Sequence, residues 1–425
     1  MNWRGLWLLG GLALGLAAQT NRYAPSPWAA SEPPLLGPAT SAAAPGAAAA
    51  TPVAGDLVRL SWNQSFAWDA YSGANTVRRD RDWQLGPQVE WWAGGRRWQW
   101  SFAYAPWWWR FARQPGRNWF NQTLNASAGL ELRAQDWLRG SLGWLRRDGG
   151  EGSGAAMGSG LGTAGPQAGE VQLGGRLEWL HAASSRSWWQ TYLALGNRHY
   201  DFNPQLEISP VRHRSREAGV QYSRRFRPRW SWRARGFLRQ QEQWGRSRVR
   251  LLAGWGELSW QPAPYWRLSV FAGPERAVIA VMPRGSKVSW LGAAGGQVTY
   301  RGEWRLEAQF MQQESSAAGL LSVPGMSRWA EWRLGRDLGR NWRWSWQAAV
   351  ADTLGLNLAG PRERLFSAWT GPALARRLRR GLWLRFQASR LWQQHRGGRR
   401  LGLNQDRSRL ALSLHYQLPH WGWEQ

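Results

Sequence analysis

Arginine side chains at alternate positions along the chain are the groups with the clearest capacity for chemistry. A guanidinium group stays charged and presents a planar fork of donors that matches a carboxylate or a phosphate. The arginines concerned are Arg59, Arg97, Arg139, Arg176, Arg233, Arg235, Arg267, Arg305, Arg333, Arg343 and Arg385. Carboxylates share this face at fewer positions, namely Glu90, Glu131, Glu178, Glu217, Glu303, Glu307 and Glu331. The pattern predicts either a surface that attracts anions or a lattice of arginine–carboxylate pairs, and the sequence leaves both interpretations open.

Catalytic residue types do not form a recognisable site. The histidines are scattered over separate segments, at His181, His199, His213, His395, His415 and His420. Metal-ligand spacing, phosphate-binding glycine loops and nucleophile elbows do not occur in the sequence. The sequence therefore predicts a protein that is not an enzyme and that holds no cofactor or metal ion.

The elements that must position the arginines have a period of two residues. In the first segment Val58, Leu60 and Trp62 alternate with Arg59 and Ser61, so one face is apolar and the other is polar. The same alternation recurs in about 18 segments of about 10–15 residues, a length that suits strands crossing a membrane. Helical spacing fits none of these segments. Leucines predicted to point outward include Leu124, Leu173, Leu306 and Leu412.

Connections between the segments alternate in length. Short links such as Gly94-Gly95 follow the even-numbered segments, whereas longer stretches such as Tyr71–Arg81, Trp107–Asn118 and Asp148–Ala168 follow most odd-numbered ones. Transmembrane barrels have short periplasmic turns, longer outer loops and an even number of strands. We therefore expect an all-β fold over residues 56–419, a transmembrane antiparallel up-and-down β-barrel of about 18 strands, within a range of about 16–18.

Tryptophan is unusually frequent, with 37 residues in the chain. Transmembrane barrels carry girdles of aromatic residues at both interfaces, where an apolar ring and a polar N–H meet a mixed environment. Tryptophans on the apolar face of their segments predict such girdles. The candidates are Trp62, Trp91, Trp100, Trp179, Trp189, Trp230, Trp260, Trp290, Trp332 and Trp344.

The N-terminal region predicts export. Arg4 precedes an apolar run, Leu6–Leu16, that ends in two alanines, which is typical of a signal peptide over residues 1–18. Residues 19–55 are rich in Pro and Ala and predict a disordered periplasmic linker, because this composition buries too little apolar surface to offset its ordering entropy. Residues 420–425 are expected to form a C-terminal tail.

Charge and cysteine content narrow the class of partner. The formal net charge is +28 and the chain has no cysteine, so disulfide scaffolds and thiolate metal sites are excluded. A basic excess of this size indicates anionic partners. An exported chain with two-faced strands does not favour a nucleic-acid-binding module, so no nucleic acid partner is expected.

By this pattern, residues 57–418 resemble bacterial outer-membrane porins and porin-like export channels. The resemblance implies a location in the bacterial outer membrane and a channel through which solutes cross. The arginines above, with Glu131, Glu178 and Glu307, would line the pore, and rings of arginine favour anions where they line water. Expected partners are outer-membrane lipid, lipopolysaccharide and small solutes, anions among them. The alternatives are a structural or adhesive barrel that displays loops, and an export pore for an acidic polysaccharide.

Overall fold

The computed structural model describes residues 55–73, 76–95, 97–113, 118–147, 170–200, 211–243, 247–281, 285–315, 325–355, 364–396, 405–418 and 421–423. The predicted signal peptide, the linker before Gly55 and the glycine-rich stretch 148–168 lie outside these residues, so what the sequence indicates for them remains a prediction.

The described residues form antiparallel strands that follow one another along the chain. In chain order they are β1 (Gly55–Gly73), β2 (Thr76–Gly94), β3 (Trp98–Phe111), β4 (Trp119–Arg133), β5 (Asp136–Arg147), β6 (Glu170–Ser184), β7 (Ser187–Tyr200), β8 (Val211–Arg227), β9 (Trp230–Gln243), β10 (Ser247–Trp260), β11 (Trp266–Val281), β12 (Gly285–Arg301), β13 (Trp304–Ser315), β14 (Gly325–Leu338), β15 (Trp342–Gly355), β16 (Arg364–Arg379), β17 (Leu382–Arg396), β18 (Gln405–Gln417) and β19 (Trp421–Trp423).

The sheet closes on itself. Each strand pairs with its neighbours in the chain, and β1 also pairs with β18, from Ser61 opposite Gln417 to Gly73 opposite Gln405. Closure leaves no open edge, which is the condition for strands to cross lipid. The all-β barrel of 18 strands predicted from the sequence is therefore confirmed. No helix among the described residues is long and apolar enough to cross a membrane.

The short strand β19 continues the seam between the first and last strands. Trp421, Gly422 and Trp423 lie opposite Val58, Leu57 and Asp56 of β1, just beyond the end of the β18 ladder. These residues belong to the predicted C-terminal tail, and the structure places them in the barrel wall.

The two faces of the wall are set by the register. Directly opposite residues of an antiparallel pair share a face, and the large apolar side chains that remain exposed all fall on the outward one. Leu193 and Leu195 of β7, for example, are 59% and 61% exposed, whereas Tyr192 and Ala194, which alternate with them, are buried on the inner face. The wall is therefore apolar outside and mixed inside, as expected of a barrel in lipid.

Strands extend further at one end of the barrel than the sequence predicts. We call this end, where residues 148–169 and 201–210 connect strands, the long-loop end, and the opposite end the short-turn end. β1 and β2 stay paired out to Gly73 and Thr76, so the predicted loop Tyr71–Arg81 is wrong over most of its length. β3 likewise runs to Phe111 instead of ending before Trp107. In these stretches both faces of the strands carry similar side chains, so the alternation of apolar and polar residues disappears from the sequence. Backbone pairing does not depend on that alternation and therefore continues.

The predicted girdle tryptophans all occupy outward positions, and several form ring pairs at the short-turn end. The rings of Trp91 and Trp100 lie 4.3 Å apart, and those of Trp230 and Trp260 are stacked at 5.3 Å. Trp290 lies nearer the long-loop end and is 71% exposed. This distribution agrees with an interfacial belt of aromatic side chains.

The assignment of faces is tested by neighbouring residues in the middle of β5. Leu142 points outward and is exposed there, whereas Ser141 points inward. We expect Leu142→Arg to lower the free energy of unfolding by about 2–4 kcal/mol, because it places a charge in lipid. Ser141→Arg, its matched control, should cost much less, as measured by urea titration in lipid vesicles. Equal losses for both variants would contradict the assigned faces.

Candidate functional site on the inner wall

Most of the arginines predicted to line the interior lie on the inner face. Those at inward positions within strands are Arg139, Arg176, Arg233, Arg235, Arg305, Arg333, Arg343 and Arg385, as are Glu131, Glu178 and Glu307. Arg267 is exposed at the start of β11, and Arg97 is exposed in the turn before β3. The backbone of Arg59 pairs with Glu90, and its side chain lies outside the described part.

Glu217 of β8 is the centre of a buried cluster on this face. Its side chain accepts hydrogen bonds from Arg239 Nε at 2.6 Å and from Arg235 Nη2 at 3.0 Å. Tyr192 Oη donates to the same carboxylate at 2.6 Å and accepts from Arg235 Nε at 3.1 Å. Glu217 is only 7% exposed. Its carboxylate is therefore paired with the arginines away from water, and both of its oxygens accept hydrogen bonds.

The position of Tyr192 depends on a glycine directly opposite in the neighbouring strand. Gly219 of β8 faces Tyr192, and a Cβ added there would lie 2.5 Å from the tyrosine ring and its hydroxyl. Alanine at this position would therefore displace the ring. The other side of the cluster is closed by Arg176, whose Cζ lies 3.9 Å from the centroid of the Tyr192 ring.

An apolar sector of the inner wall adjoins the cluster. Its buried members are Tyr192, Phe237, Val249, Leu251, Ala253, Ala277 and Ile279. Arg235 links the two regions, because its Cζ lies 5.0 Å from the Phe237 ring centroid and 5.3 Å from that of Trp255. The delocalised guanidinium group tolerates such stacking better than an ammonium group does. This sector, on β7 and β9 to β11, was not predicted, because the sequence pattern assigned apolar residues to the lipid face.

Other inward arginines are also paired with carboxylates. Arg233 Nη1 donates to Glu257 at 2.8 Å. Asp337 accepts from both Arg305 and Arg343, the second at 2.9 Å. Two arginines thus share one carboxylate here, as they do at Glu217.

At Arg333 the ratio of arginines to carboxylates is reversed. Its Nε lies 2.7 Å from Glu331, and its Nη1 lies 3.8 Å from Glu307, so two carboxylates share one arginine. Arg176 pairs with Glu178 one to one. The described inner wall is therefore a nearly balanced network with a modest local excess of positive charge.

The seam of the barrel carries an ion pair that sequence reasoning missed. Arg409 of β18 donates to Asp82 of β2 at 2.8 Å, and its Cζ lies 4.9 Å from the inward ring of Trp109. Asp82 and Trp109 fall in or beside predicted loops, so their alternation was not recognised. Only knowledge that the first and last strands pair could have brought Arg409 to Asp82.

Parts of the inner face remain open to solvent. Ser127 and Ser141, directly opposite each other on β4 and β5, face inward and are exposed. The side chains of Arg333 and Glu307 keep 43% and 38% of their surface exposed. An interior filled to the density of a protein core would bury such side chains. The geometry therefore offers a wet, charged surface that can attract and orient small ions.

The contribution of the buried cluster is tested by Glu217→Gln, which removes the charge and keeps the shape. Arg235 and Arg239 would then be buried without their counter-ion, so we expect a loss of about 3–5 kcal/mol in the free energy of unfolding. The control is Glu303→Gln in a short turn, where the exposed pair with Arg336 should contribute no more than about 1 kcal/mol. Urea titration measures both, and a loss at Glu217 no larger than that at Glu303 would contradict the burial argument.

No family model matches the chain, and no curated protein matches it. Among solved structures, OccK2 (OpdF) of Pseudomonas aeruginosa is 13% identical with a TM-score of 0.48, over 85% of this chain and 98% of that chain. OccAB1 of Acinetobacter baumannii is 8% identical with a TM-score of 0.48, over 85% and 97% of the two chains. The FrpB iron transporter of Neisseria meningitidis is 8% identical with a TM-score of 0.42, over 84% and 81%. The closed barrel with its apolar outer face confirms the antiparallel transmembrane β-barrel that the sequence predicts.

Proposed function

We propose that this protein is a channel of the bacterial outer membrane that lets small solutes cross, and that it is not an enzyme. The observation that carries the proposal is the exposure of inward polar side chains, Ser127, Ser141, Arg333 and Glu307, inside a closed barrel. A barrel of about 16–18 strands is wide enough to leave an aqueous path, whereas about 8 strands are filled by their own side chains. The predicted signal peptide supports export to this membrane.

A mild preference for anions follows from the charges on the inner wall. Glu217 and Asp337 each pair with two arginines, so arginines outnumber carboxylates in these two clusters of the inner wall. A low-dielectric wall strengthens the effect of such charge on ions in a narrow space. Because other arginines are matched by carboxylates, we propose a preference for anions and not an exclusion of cations.

A filled structural barrel is the second candidate, and one observation favours it. Inward residues of β10 and β11 are almost completely buried, with Leu251 at 1% and Ala277 at 0% exposure. If the whole interior were packed like this sector, the ion pairs would stiffen the wall and no solute would pass. A measurement of conductance distinguishes an open channel from a filled structural barrel.

The outer surface supports lipid as the surrounding partner. An apolar outward band with tryptophan pairs at the short-turn end suits a bilayer whose interface lies at their level. In the outer membrane the leaflet on the long-loop side would contain lipopolysaccharide.

The channel is tested by single-channel recording in planar bilayers with a salt gradient. We expect discrete conductance steps and a reversal potential whose sign shows that anions are mildly preferred over cations. The preference should weaken between about 0.1 M and 1 M salt, where the Debye length falls from about 10 Å to about 3 Å. Absence of conductance would favour the filled barrel, and a cation-selective pore would contradict the role assigned to arginine.

The residue-level test compares two arginines three positions apart on β14. Arg333 points inward, whereas Arg336 points outward over the Trp304 ring. We expect Arg333→Gln to move the reversal potential toward cation preference, because it removes positive charge from the interior. The matched variant Arg336→Gln should leave the reversal potential unchanged. Equal shifts for both variants would show that neither acts by lining the solute path.

A further inference from the structure

The outer face of the barrel carries a second concentration of arginine, separate from the inner wall. Its members are Arg214, Arg216, Arg248, Arg250 and Arg276, which we call the outer arginine patch. All are exposed, and they lie on β8, β10 and β11 in the halves nearer the long-loop end. Their outward direction follows from the register, because Arg216 lies opposite the exposed Leu195 and Arg276 lies opposite the exposed Leu252.

The register also brings members of the outer arginine patch close together. Arg216 lies opposite Gln240 of β9, and Gln240 lies opposite Arg250 of β10. Adjacent strands are about 4.8 Å apart, so the backbones of Arg216 and Arg250 are separated by about 10 Å. Arg276 lies beside Leu252, the next outward residue after Arg250. Long arginine side chains at this spacing can converge on one polyatomic anion.

Carboxylates are scarce on this surface. Along the described outward positions of β8, β9, β10 and β11, Glu242 is the one acidic residue, and Arg248 Nε pairs with it at 2.8 Å. Within the described residues no carboxylate pairs with Arg216, Arg250 or Arg276. The positive charges of Arg216, Arg250 and Arg276 are therefore not balanced by their described surroundings, in contrast with the inner wall.

The position of the outer arginine patch along the barrel axis indicates which part of the membrane it contacts. Exposed leucines on β7, β9 and β10, namely Leu193, Leu238 and Leu252, form the apolar surface next to the patch on the side of the middle of the barrel. A charged side chain is costly at the midplane of a bilayer and tolerated near its interface. Arg214, Arg216, Arg248 and Arg250 thus lie where the lipid-facing band gives way to lipid headgroups on the side of the long loops, and Arg276 lies level with Leu252, opposite the exposed Trp290.

We propose that the outer arginine patch binds the phosphate groups of an anionic lipid in the leaflet on the long-loop side. Guanidinium groups form bidentate, charge-assisted hydrogen bonds with phosphate, and the neighbouring leucines contact the acyl chains of the same molecule. The inference rests on the proposed function only in placing the barrel in a membrane with the long loops toward this leaflet. It does not require that the interior conducts.

The experiment measures lipid binding by native mass spectrometry of the full barrel released from detergent. The probes are a bisphosphorylated lipid A, the same lipid without phosphate, and inorganic phosphate alone. We expect the phosphorylated lipid to remain bound, and its affinity to fall at least about tenfold in Arg216→Gln/Arg250→Gln/Arg276→Gln. Inorganic phosphate should neither bind measurably nor displace the lipid.

The matched control removes three arginines at the short-turn end, the exposed Arg340 and Arg376 and the partly exposed Arg336, as Arg336→Gln/Arg340→Gln/Arg376→Gln. It lowers the net charge by the same amount, and we expect its affinity for the phosphorylated lipid to stay within about twofold of the wild type. Far-UV circular dichroism, recorded for both triple variants, verifies that each remains folded.

Three results would overturn the proposal. They are equal retention of the phosphorylated and unphosphorylated lipids, equal losses in the two triple variants, and inorganic phosphate binding as tightly as the lipid. Recording conductance from the same variants keeps this inference distinguishable from the channel. A barrel that conducts but does not select the phosphorylated lipid refutes only the outer arginine patch, and a silent barrel that selects it refutes only the channel.

Discussion

Closure of the backbone hydrogen-bond network is the constraint on which the rest of the structure depends. In lipid, every backbone N–H and C=O must find a partner within the protein, because no water replaces a missing one. The long ladder between β1 and β18 meets this requirement at the seam, and the ion pair from Arg409 to Asp82 lies on the inner side of the same seam. Once the sheet is closed, the pleat assigns each residue to lipid or to the interior.

The interior combines two ways of accommodating polar and charged groups. Around Glu217 the charges are buried and matched by hydrogen bonds, which holds Tyr192, Arg235 and Arg239 in fixed geometry. Around Arg333 the ion-paired side chains stay partly exposed, with 43% of the arginine side chain accessible. A buried ion pair contributes little net stability compared with apolar packing, but removing one partner of the pair is costly. The proposed channel therefore depends on the open part of the interior.

Alternation along single strands was enough to predict the fold, the strand number and the outward direction of residues such as Leu412 and Trp260. It also placed Arg235 and Glu217 on one face. Their convergence with Tyr192 could not be predicted, because it depends on register between strands and on the space above Gly219. The strand ends were predicted wrongly for a different reason. Near the long-loop end both faces carry similar side chains, polar in β1 and β2 and aromatic in β3, so strand pairing continues where the alternation stops.

The central claim, a water-filled barrel in lipid, is tested most directly by single cysteines, since the chain has none of its own. Ser141→Cys places a thiol on the exposed inner face, and Leu142→Cys places one on the lipid face of the same strand. In lipid vesicles, a membrane-impermeant maleimide should label the first rapidly and the second only after the barrel is unfolded. Protection of both thiols would contradict an aqueous interior, and labelling of Leu142→Cys alone would contradict the assignment of the faces.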